Sequence, residues 1–390
     1  MPKTSLAIIF GGRSVEHEVS ILSGHQALAA AADNDKYDVH PVYIARDNVW
    51  YTGEEAGNLA FFKQANPPLS KLMRVYPAPD PMRAKLRLIE ADPKPLRKPK
   101  VIEIDCVLPA THGTFVEDGA LQGMFEMANV AFAGSGVRGS TVGMDKALFK
   151  SVLLAEGLPY LPYSVVWRDV WDADPAAEMA RLEQTLGLPL FIKPAVAGSS
   201  VGISRADDLT KLETGVDLAL KFCERALIER ALIHPTEINC SVLDGDPPIA
   251  SVLEQPVSAA ELLTFDEKYK AGGGKKGAKT GGKGMAGQQR LIPAPLDTET
   301  TKRIQTLAMQ SFRAARAGGV ARIDFLIDDN GEVYINELNN IPGSLSFYLW
   351  EHGGRSFSQL IDRMVERAFE VQKIRNRTTY SFEANLLAGG

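Results

Sequence analysis

A short stretch near the end of the chain combines two acidic side chains with an amide and an arginine. Residues 321–343 read A-R-I-D-F-L-I-D-D-N-G-E-V-Y-I-N-E-L-N-N-I-P-G, in which two alternating apolar runs flank the turn D-D-N-G. The pattern predicts an antiparallel hairpin. Glu337 and Asn339 are two residues apart and therefore share a face, which Asp324 on the first run can oppose beside Arg322. Such oxygen ligands suit Mg²⁺ held between carboxylates and nucleotide phosphates. Taken alone, the pattern also fits a solvated hairpin face.

The composition is that of a globular protein and gives no support for nucleic acid or a membrane as a partner. The chain has 390 residues, 45% of them hydrophobic and 23% charged, with a formal net charge of −5. This length suits two or three domains, and a negative charge does not attract nucleic acid. Cys106, Cys223 and Cys240 show no metal-ligand spacing and, as a sparse odd set, fit a reducing compartment. No segment reaches the ~18 apolar residues of a membrane span, and the first apolar run is short for a signal peptide, so we expect a cytoplasmic location.

Strand and helix patterns predict three domains. Residues 1–134 alternate strand, loop and helix, which predicts a parallel α/β domain, although 52–100 read as irregular and rich in Pro and Lys. Residues 135–230 are predicted to form a central domain, and 231–390 a C-terminal domain that carries the hairpin. The segment 265–290 is rich in glycine and lysine. Such a composition fits a disordered linker, but a long loop inside a domain is often a lid.

Two loops that follow strands are candidates for anion binding. The strand Leu190–Lys193 enters the loop A-G-S-S-V-G, whose small residues let backbone N–H groups approach phosphate oxygens. Lys193 can reach the same anion; a tight hairpin with an exposed lysine is the alternative. The turn N-N-I-P-G-S-L-S is predicted to lead into a helix that starts near Ser344. Gly343 and that helix N-terminus would offer N–H donors to a phosphate, a carboxylate or an oxyanion, or form an ordinary Pro-Gly turn.

Three further candidates are polar groups at or near the ends of strands. Leu227–Leu232 is predicted to be a strand with a free edge that reads adenine through its backbone, with Glu229 nearby, or else a plain strand. In G-G-R-S-V-E-H-E-V-S, the start of a helix places Glu16 in the first turn. There it can bind an ammonium group or simply complement the helix dipole. His112 and Glu117 lie between glycines in T-H-G-T-F-V-E-D-G; without a third metal ligand, they fit a loop that shapes a substrate pocket better than a metal site.

In this order the motifs resemble those of the D-alanine–D-alanine ligase family of ATP-grasp enzymes over nearly the whole chain. The matching pieces are G-G-R-S-V-E-H-E-V-S, H-G-T-F-V-E-D-G-A-L-Q-G, G-S-G-V-R-G-S-T-V-G-M-D-K, K-P-A-V-A-G-S-S-V-G, D-E-K-Y-K, A-R-I-D and E-L-N-N-I-P-G. The resemblance implies a three-domain α/β (α+β) fold in which the central and C-terminal domains clamp ATP. It implies that ATP phosphorylates the carboxylate of one D-alanine and that the amine of a second attacks the acylphosphate, in the synthesis of peptidoglycan precursors. It also implies two Mg²⁺ ions, or Mn²⁺ in their place, and a homodimer.

The resemblance implies a role for each matching site residue. The groups implied at the first substrate and in acyl transfer are Glu16, Ser199, Tyr269, Arg322 and Gly343, with His112 in the substrate pocket. The groups implied at ATP are Lys146, Lys193, Glu229, Arg230, Leu232, Glu237 and Lys268. The ligands implied for the metal ions are Asp324, Glu337 and Asn339.

Three departures from the family pattern bear on function. Arg230 stands where the family usually has a lysine, and the charge is kept. The lid is longer and richer in glycine and lysine than usual. Tyr348 stands where the family usually has a serine that holds the carboxylate of the second substrate. The Tyr348 hydroxyl can take over that role, as can Ser344 or Ser346; otherwise the acceptor is not D-alanine.

Three functions remain open at this level. The first is a D-alanine–D-alanine ligase. The second is a ligase of the same chemistry that uses another amino acid, a hydroxy acid or an amine as acceptor, which Tyr348 motivates. The third is a nucleotide-binding regulatory protein without catalysis. The intact set of metal and oxyanion groups around Asp324 argues against the third.

Overall fold

The computed structural model describes residues 2–32, 34–196, 198, 201–257 and 290–380. These residues form three β-sheets with helices packed against them, which confirms the predicted α/β fold class. The sheets occupy residues 4–132, 163–230 and 236–339. Each sheet lies inside one of the predicted domains; the exact domain bounds stay predictions.

The N-terminal sheet has a parallel half and an antiparallel half. Its strands are β1 (Thr4–Gly11), β2 (Tyr37–Ile44), β3 (Trp50–Thr52), β4 (Met73–Asp80), β5 (Lys85–Glu90), β6 (Val101–Ile104), β7 (Cys106–Pro109) and β8 (Ala131–Phe132). They lie in the order β6-β5-β4-β3-β2-β1-β7-β8, with parallel pairing from β2 to β8 and antiparallel pairing from β2 to β6.

The prediction that residues 52–100 are irregular was therefore wrong. The prolines in β4 obscured its pattern, because proline removes a ladder donor and is uncommon inside sheets. Lys85–Leu88 does alternate, and both Leu86 and Leu88 are fully buried, with Val75 packed in the same cluster. These side chains pack β4 and β5 into the same buried cluster as residues of β1 and β2.

Three helices belong to the N-terminal sheet: α1 (His17–Ala32), α2 (Leu59–Phe62) and α3 (Ala120–Met127), with short 3-10 turns at Glu54–Gly57 and Leu69–Lys71. Helix α1 begins at His17, so Glu16 lies directly before the helix and not in its first turn as predicted. The reason is local: the Ser14 hydroxyl accepts a hydrogen bond from the Glu16 N–H at 3.0 Å, which holds this segment in a turn.

The central sheet is entirely antiparallel. Its strands are β9 (Tyr163–Trp167), β10 (Leu190–Pro194), β11 (Ser204–Ala206) and β12 (Arg225–Arg230), in the order β11-β10-β12-β9. Its helices are α4 (Val137–Met144), α5 (Lys146–Ala155), α6 (Arg168–Ala173), α7 (Pro175–Leu186) and α8 (Leu209–Leu220). Leu182 of α7, Ile192 of β10 and Val216 of α8 are fully buried in one cluster, so the two long helices cover one face of this sheet.

The C-terminal sheet carries the hairpin. Its strands are β13 (Thr236–Leu243), β14 (Ile249–Pro256), β15 (Arg290–Leu291), β16 (Val320–Ile327) and β17 (Val333–Asn339), in the antiparallel order β15-β14-β13-β16-β17. The helices described in this part of the chain are α9 (Thr298–Ala314), α10 (Phe347–His352) and α11 (Phe357–Arg375), with a 3-10 turn at Gly343–Ser346. None of the described helices is long and apolar enough to cross a membrane.

The last helix ties the C-terminal part of the chain to the N-terminal domain. Leu360 and Met364 of α11 share a buried cluster with Leu28 of α1. Asp362 of α11 accepts a hydrogen bond at 2.6 Å from the hydroxyl of Tyr37. This packing fixes the distance between the loop after β1 and the turn after β17, both of which carry candidate site residues.

Candidate active site

The hairpin of β16 and β17 is antiparallel, as predicted. Asp324 pairs with Glu337, and Arg322 pairs with Asn339, with a bulge after Asp324. Directly opposed residues of an antiparallel pair project from the same face. The structure thus places the four predicted residues together at one end of the hairpin, next to the turn that begins at Asn340.

Asp324 is held by its neighbours on both strands. The Arg322 guanidinium donates to both carboxylate oxygens of Asp324, at 2.6 and 2.7 Å, and the Asn339 amide donates to one at 3.0 Å. Burial raises the pKa of Asp324 to about 7, more than Arg322 lowers it, and the acids Glu337 and Glu237 add to the rise. Asp324 is only 2% exposed. A divalent cation would relieve the repulsion that Glu337 and Glu237 exert on the buried Asp324 carboxylate.

The donor types at this end of the hairpin fit Mg²⁺, although they are not gathered around one point. Carboxylates and an amide oxygen are hard ligands, and Mg²⁺ usually takes only one or two carboxylates, completing its shell with water and phosphate. Within the described ranges, no group of three His, Cys, Asp or Glu side chains is close enough to hold a metal ion. Both oxygens of Asp324 accept hydrogen bonds from Arg322. A metal ion bound by Asp324 would therefore share these oxygens with the Arg322 guanidinium.

A buried carboxylate between two lysines lies beside the hairpin. Glu229 of β12 is 1% exposed, and its two oxygens lie 2.7 Å from Lys150 Nζ and 2.5 Å from Lys193 Nζ. Burial opposes the ionisation of Glu229, but the two ammonium groups outweigh it and lower its pKa to about 2. Lys150 also donates to the Ile335 carbonyl at 3.0 Å, and Lys193 donates to the Asn336 amide oxygen at 3.2 Å. The ion pairs thus join the central sheet to β17.

The prediction that Leu227–Leu232 has a free edge was wrong. Strand β12 lies between β10 and β9, and its backbone is paired on both sides through Glu229. The N–H groups of Arg230 and Ala231 also donate to Pro162 and Pro189. The sequence did not indicate that Tyr163–Trp167 would pair here. Leu232, the second residue after β12, is half-buried.

The other residues predicted at ATP lie around this region. Lys146 is half-buried at the start of α5, and its N–H donates to the Ala195 carbonyl at 2.9 Å, next to the end of β10. The Arg230 side chain reaches the Leu186 carbonyl with Nε at 3.2 Å. Glu237 is exposed at the start of β13, opposite Leu326 of β16.

Loops from two domains meet at Glu16. A Cβ atom on Gly198 of the central domain would lie 2.3 Å from a Glu16 carboxylate oxygen, and one on Gly113 of the N-terminal domain would lie 2.8 Å from the same oxygen. A side chain at either position would push the Glu16 carboxylate aside, so the two glycines leave room for it in this arrangement. Glu16 is 8% exposed. Its nearly buried carboxylate lies between the loop after β7 and the loop after β10.

The turn after β17 is fastened to the N-terminal domain by two hydrogen bonds, one of them to a serine that also bonds to His112. The Ser23 hydroxyl accepts the Ser344 N–H at 3.0 Å and bonds to His112 Nε2 at 2.8 Å. Glu117 accepts the Ile341 N–H at 3.0 Å. Burial lowers the pKa of His112 to about 4, so its imidazole is neutral at pH 7. Burial and the Glu16 charge raise the pKa of Glu117 to about 8.

The helix predicted to start near Ser344 begins later, at Phe347. Ser344, Leu345 and Ser346 all have left-handed backbone, with φ of 55°, 52° and 48°. Each such non-glycine residue costs roughly 1–2 kcal/mol, so the surrounding contacts must hold this turn. Ser344 is half-buried, whereas Ser346 is fully buried, and its hydroxyl has no hydrogen-bond partner among the described residues. Gly343 is half-buried and lies between the end of the hairpin and these three left-handed residues.

Three predicted residues and the predicted lid lie beyond the region that the structure covers. Ser199, Lys268 and Tyr269 fall outside the described residues, as do residues 265–289 of the lid. Tyr348 is described; it is half-buried and donates its hydroxyl proton to Glu254 at 2.8 Å.

Comparison with known proteins identifies the family. Residues 5–135 match the family model described as D-ala D-ala ligase N-terminus, and residues 152–366 match D-ala D-ala ligase C-terminus. A D-alanine–D-alanine ligase of Heliobacterium modesticaldum is 39% identical over 371 residues, 94% of each chain. The chain belongs to the D-alanine–D-alanine ligase family. A relative of the same name from Geobacillus thermodenitrificans is 34% identical over 392 residues, 98% of this chain and 100% of the relative.

Solved structures of the family share the whole fold. The D-alanine–D-alanine ligase from Coxiella burnetii has a TM-score of 0.78 at 26% identity and covers 97% of both chains. A D-Ala:D-Ser ligase from Enterococcus faecalis has a TM-score of 0.76 at 28% identity, covering 94% of this chain and 100% of that one. Members of similar fold thus carry names with different acceptors.

Sequence reasoning missed three residues of this site: Ser23, Lys150 and Glu254. Lys150 follows Lys146 by one helical turn, which was a usable signal that both face the same side. Ser23 lies on α1, and nothing in its neighbourhood indicates a partner 321 residues away. Glu254 contacts Tyr348, which is 94 residues later, and no local pattern predicts that contact.

Proposed function

We propose that the protein is an ATP-dependent ligase that joins two molecules of D-alanine for the synthesis of peptidoglycan precursors. The observation that carries the proposal is the meeting of groups from all three sheets. Gly198 of the central domain covers Glu16 of the N-terminal domain, while the turn after the Asp324–Glu337 hairpin is bonded to Ser23. An ammonium-binding acid, phosphate-binding lysines and metal ligands therefore border one region.

The chemistry that this arrangement serves has two steps. A carboxylate oxygen of the first D-alanine attacks the γ-phosphorus of ATP, the bond to ADP breaks, and an acylphosphate forms. The amine of the second D-alanine attacks the acyl carbon, loses a proton, and the C–O bond breaks to release phosphate. The phosphate therefore keeps one oxygen of the first carboxylate. Such a route needs charge neutralisation during phosphoryl transfer and exclusion of water from the acylphosphate.

Lysines on the central domain are proposed to hold the ATP phosphates. Lys193 projects from the end of β10 and is 11% exposed, and Lys146 lies next to it at the start of α5. Lys268 joins them in the proposal, beyond the described residues. Glu229 is buried, and its ion pair with Lys193 holds the ammonium group of Lys193 in position. The purine then contacts Arg230 and Leu232, with Glu237 at the ribose.

Asp324, Glu337 and Asn339 are proposed to hold two Mg²⁺ ions, or Mn²⁺ in their place. When bound, these ions neutralise charge on the phosphates. Burial raises the pKa of Asp324 to about 7, and the nearby acids Glu337 and Glu237 add to the rise, which supports a cation at this place. Arg322 pairs with Asp324 and can turn part of its guanidinium toward the transferred group.

Glu16 is proposed to bind the ammonium of the first D-alanine, with Ser199 and Tyr269 as its partners beyond the described residues. His112 is buried and neutral, and it orients Ser23 under the turn at Ser344. Arg322 and the Gly343 N–H are proposed to stabilise the oxyanion of the tetrahedral intermediate.

A ligase with another acceptor is the second candidate, and Tyr348 is the observation that favours it. The Tyr348 hydroxyl donates its proton to Glu254. It therefore cannot donate the same proton to the carboxylate of the second substrate, which is the role expected of the serine. A solved relative bears the name D-Ala:D-Ser ligase. The acceptor pocket around Ser344, Ser346 and Tyr348 decides between the two. We further infer a cytoplasmic homodimer that acts on small amino-acid substrates and not on nucleic acid or membranes.

Release of ADP with D-alanine as sole amino acid tests the proposal. We expect ADP and phosphate in equal amounts with D-alanyl-D-alanine, dependent on Mg²⁺. Release only after another amino acid, a hydroxy acid or an amine is added would support the second candidate. ATP binding without turnover on any acceptor would support a regulatory protein.

A further inference from the structure

Lys193 and Glu229 share the face of the central sheet that is turned away from the two long helices α7 and α8. Lys193 of β10 pairs with Leu227 of β12, and Glu229 follows Leu227 by two residues, so both charged side chains project from one face. Ile192 and Ile228 lie on the opposite face, in the buried cluster that includes residues of α7 and α8. The charged face meets β17 instead, where Lys193 donates to an amide oxygen.

Lys150 reaches the same carboxylate from helix α5. Its ammonium nitrogen lies 2.7 Å from one oxygen of Glu229, and the ammonium nitrogen of Lys193 lies 2.5 Å from the other. The side chain of Lys150 is 2% exposed, whereas that of Lys193 is 11% exposed. Lys193 is therefore the member of this triad that an anion can approach, and Lys150 lies behind Glu229 in the interior.

The triad of Lys150, Glu229 and Lys193 carries one net positive charge. Burial alone would lower the pKa of Lys193, but the carboxylates around it, above all Glu229, raise it above its ordinary value. Burial lowers the pKa of Lys150, and the Glu229 carboxylate opposes the loss of its proton. Glu229 itself stays ionised, because the charges of the two lysines outweigh the effect of its burial on its pKa. Two ammonium groups and one carboxylate leave a charge of one.

Without Lys150, Glu229 would cancel the charge of Lys193. One ammonium group and one carboxylate have no net charge, and a phosphate that approaches Lys193 would also be repelled by the carboxylate directly behind it. With Lys150 in place, Glu229 is neutralised from the interior side. The remaining positive charge then belongs to the side chain that faces the opening.

We propose that Lys150 is a positioning residue that neutralises Glu229 and so leaves the charge of Lys193 to attract the phosphates of ATP. The proposal rests on the function proposed above, in which Lys193 binds phosphate, and adds the group that keeps this lysine effective as a cation. Lys150 acts through Glu229 and does not touch the nucleotide. A unit charge about 8 Å from a phosphate, at an effective dielectric constant of about 20, changes binding about 30-fold.

Binding of ATP and of adenosine to the full chain tests the proposal, with both dissociation constants measured by equilibrium dialysis in the presence of Mg²⁺. Adenosine has the same base and ribose but no phosphates, so the ratio of the two constants reports the contribution of the phosphates. We expect Lys150→Met to reduce the preference for ATP over adenosine about 10- to 100-fold. Lys211→Met is the matched control, because Lys211 is 55% exposed on the same domain, and it should leave the ratio unchanged.

A double variant separates the effect of charge from the effect of structure. Lys150→Met with Glu229→Gln leaves Lys193 beside a neutral amide, so the net charge is again one. The preference for ATP should return to within about threefold of the wild type. This variant is nevertheless expected to be less stable than Lys150→Met alone, because Lys193 loses its carboxylate partner. A purely structural role of Lys150 predicts that the preference falls together with the stability.

Glu229→Gln alone provides a second readout if Lys150→Met does not fold. It leaves two ammonium groups and no carboxylate in the triad, so the preference for ATP over adenosine should rise above that of the wild type. A preference that stays the same or falls would contradict the proposal, since it would show that the charge of Glu229 does not act on the phosphates.

The outcomes are distinct from those that test the ligase function. An unchanged ratio in Lys150→Met, or a ratio in the double variant as low as in Lys150→Met, would overturn the proposal while the wild-type protein still binds ATP and releases ADP with D-alanine. A wild-type protein that binds no ATP overturns the proposed function itself, and with it this assignment.

Discussion

Replacing Lys150 with methionine removes one of the two cations that neutralise the buried carboxylate of Glu229. Methionine has a similar length and no charge, so the apolar part of the side chain stays packed. Lys150 is 1% exposed, so its ammonium group is shielded from solvent between the central sheet and β17. The substitution therefore tests how strongly the two domains depend on this ion pair.

The magnitude follows from the distances. Lys150 Nζ lies 2.7 Å from Glu229 and 3.0 Å from the Ile335 carbonyl. Removing one partner of a buried ion pair costs about 3–5 kcal/mol of the free energy of unfolding. Because Lys193 stays 2.5 Å from the same carboxylate, we expect a loss at the lower end, about 3 kcal/mol.

Chemical denaturation monitored by tryptophan fluorescence measures this loss, since Trp171 is buried in the central domain. Lys211→Met is the matched control: Lys211 is 55% exposed and 3.1 Å from Asp207, and its loss should cost less than about 0.5 kcal/mol. The double variant Lys150→Met with Glu229→Gln should be less stable than Lys150→Met alone, because it also removes the carboxylate that pairs with the Lys193 ammonium group. Equal stability of Lys150→Met and Lys211→Met would refute the reasoning.

Two further predictions concern the acids of the site. Glu337→Gln should reduce the rate of ADP release by at least about 100-fold at saturating ATP, with a melting temperature within a few degrees of the wild type; near-normal activity would contradict the metal assignment. Glu117 has a folded-state pKa of about 8 against 4.5 when exposed, so the folded protein holds an extra proton in this window. Its contribution to stability therefore falls as pH rises from 4.5 to 8, by about 1.4 kcal/mol per pH unit. Glu117→Gln should flatten that part of a plot of melting temperature against pH, and an unchanged slope would show that another group causes it.

The hairpin at 321–343 was predictable because its information is local. Alternation gives the strands, D-D-N-G gives the turn, and the spacing of Glu337 and Asn339 gives the shared face. The pairing of Asp324 with Glu337 also depends on the bulge after Asp324, because uninterrupted pairing from Ile327 and Val333 would place Asn336 opposite Asp324. The other candidate site residues were predicted from strand ends or from the order of motifs, and their roles stay predictions.

Other features depended on contacts far apart in the sequence. Lys150 meets the Ile335 carbonyl 185 residues later, and no local pattern predicts that partner. Strand β12 looked like an edge because nothing marks Tyr163–Trp167 as its neighbour. The left-handed turn at Ser344 contains no glycine, so its backbone could not be expected from residue type. The hydrogen bond from Tyr348 to Glu254 joins residues 94 positions apart, so local sequence did not predict it either.

The fate of a carboxylate oxygen tests the central claim most directly. D-alanine labelled with ¹⁸O in its carboxylate is incubated with ATP and Mg²⁺, and the released phosphate is analysed by mass spectrometry. If the chain activates the carboxylate as an acylphosphate, each phosphate carries one ¹⁸O atom, because the acyl C–O bond breaks. Dipeptide formation with unlabelled phosphate would contradict the account, since the carboxylate oxygen would then never have bonded to phosphorus.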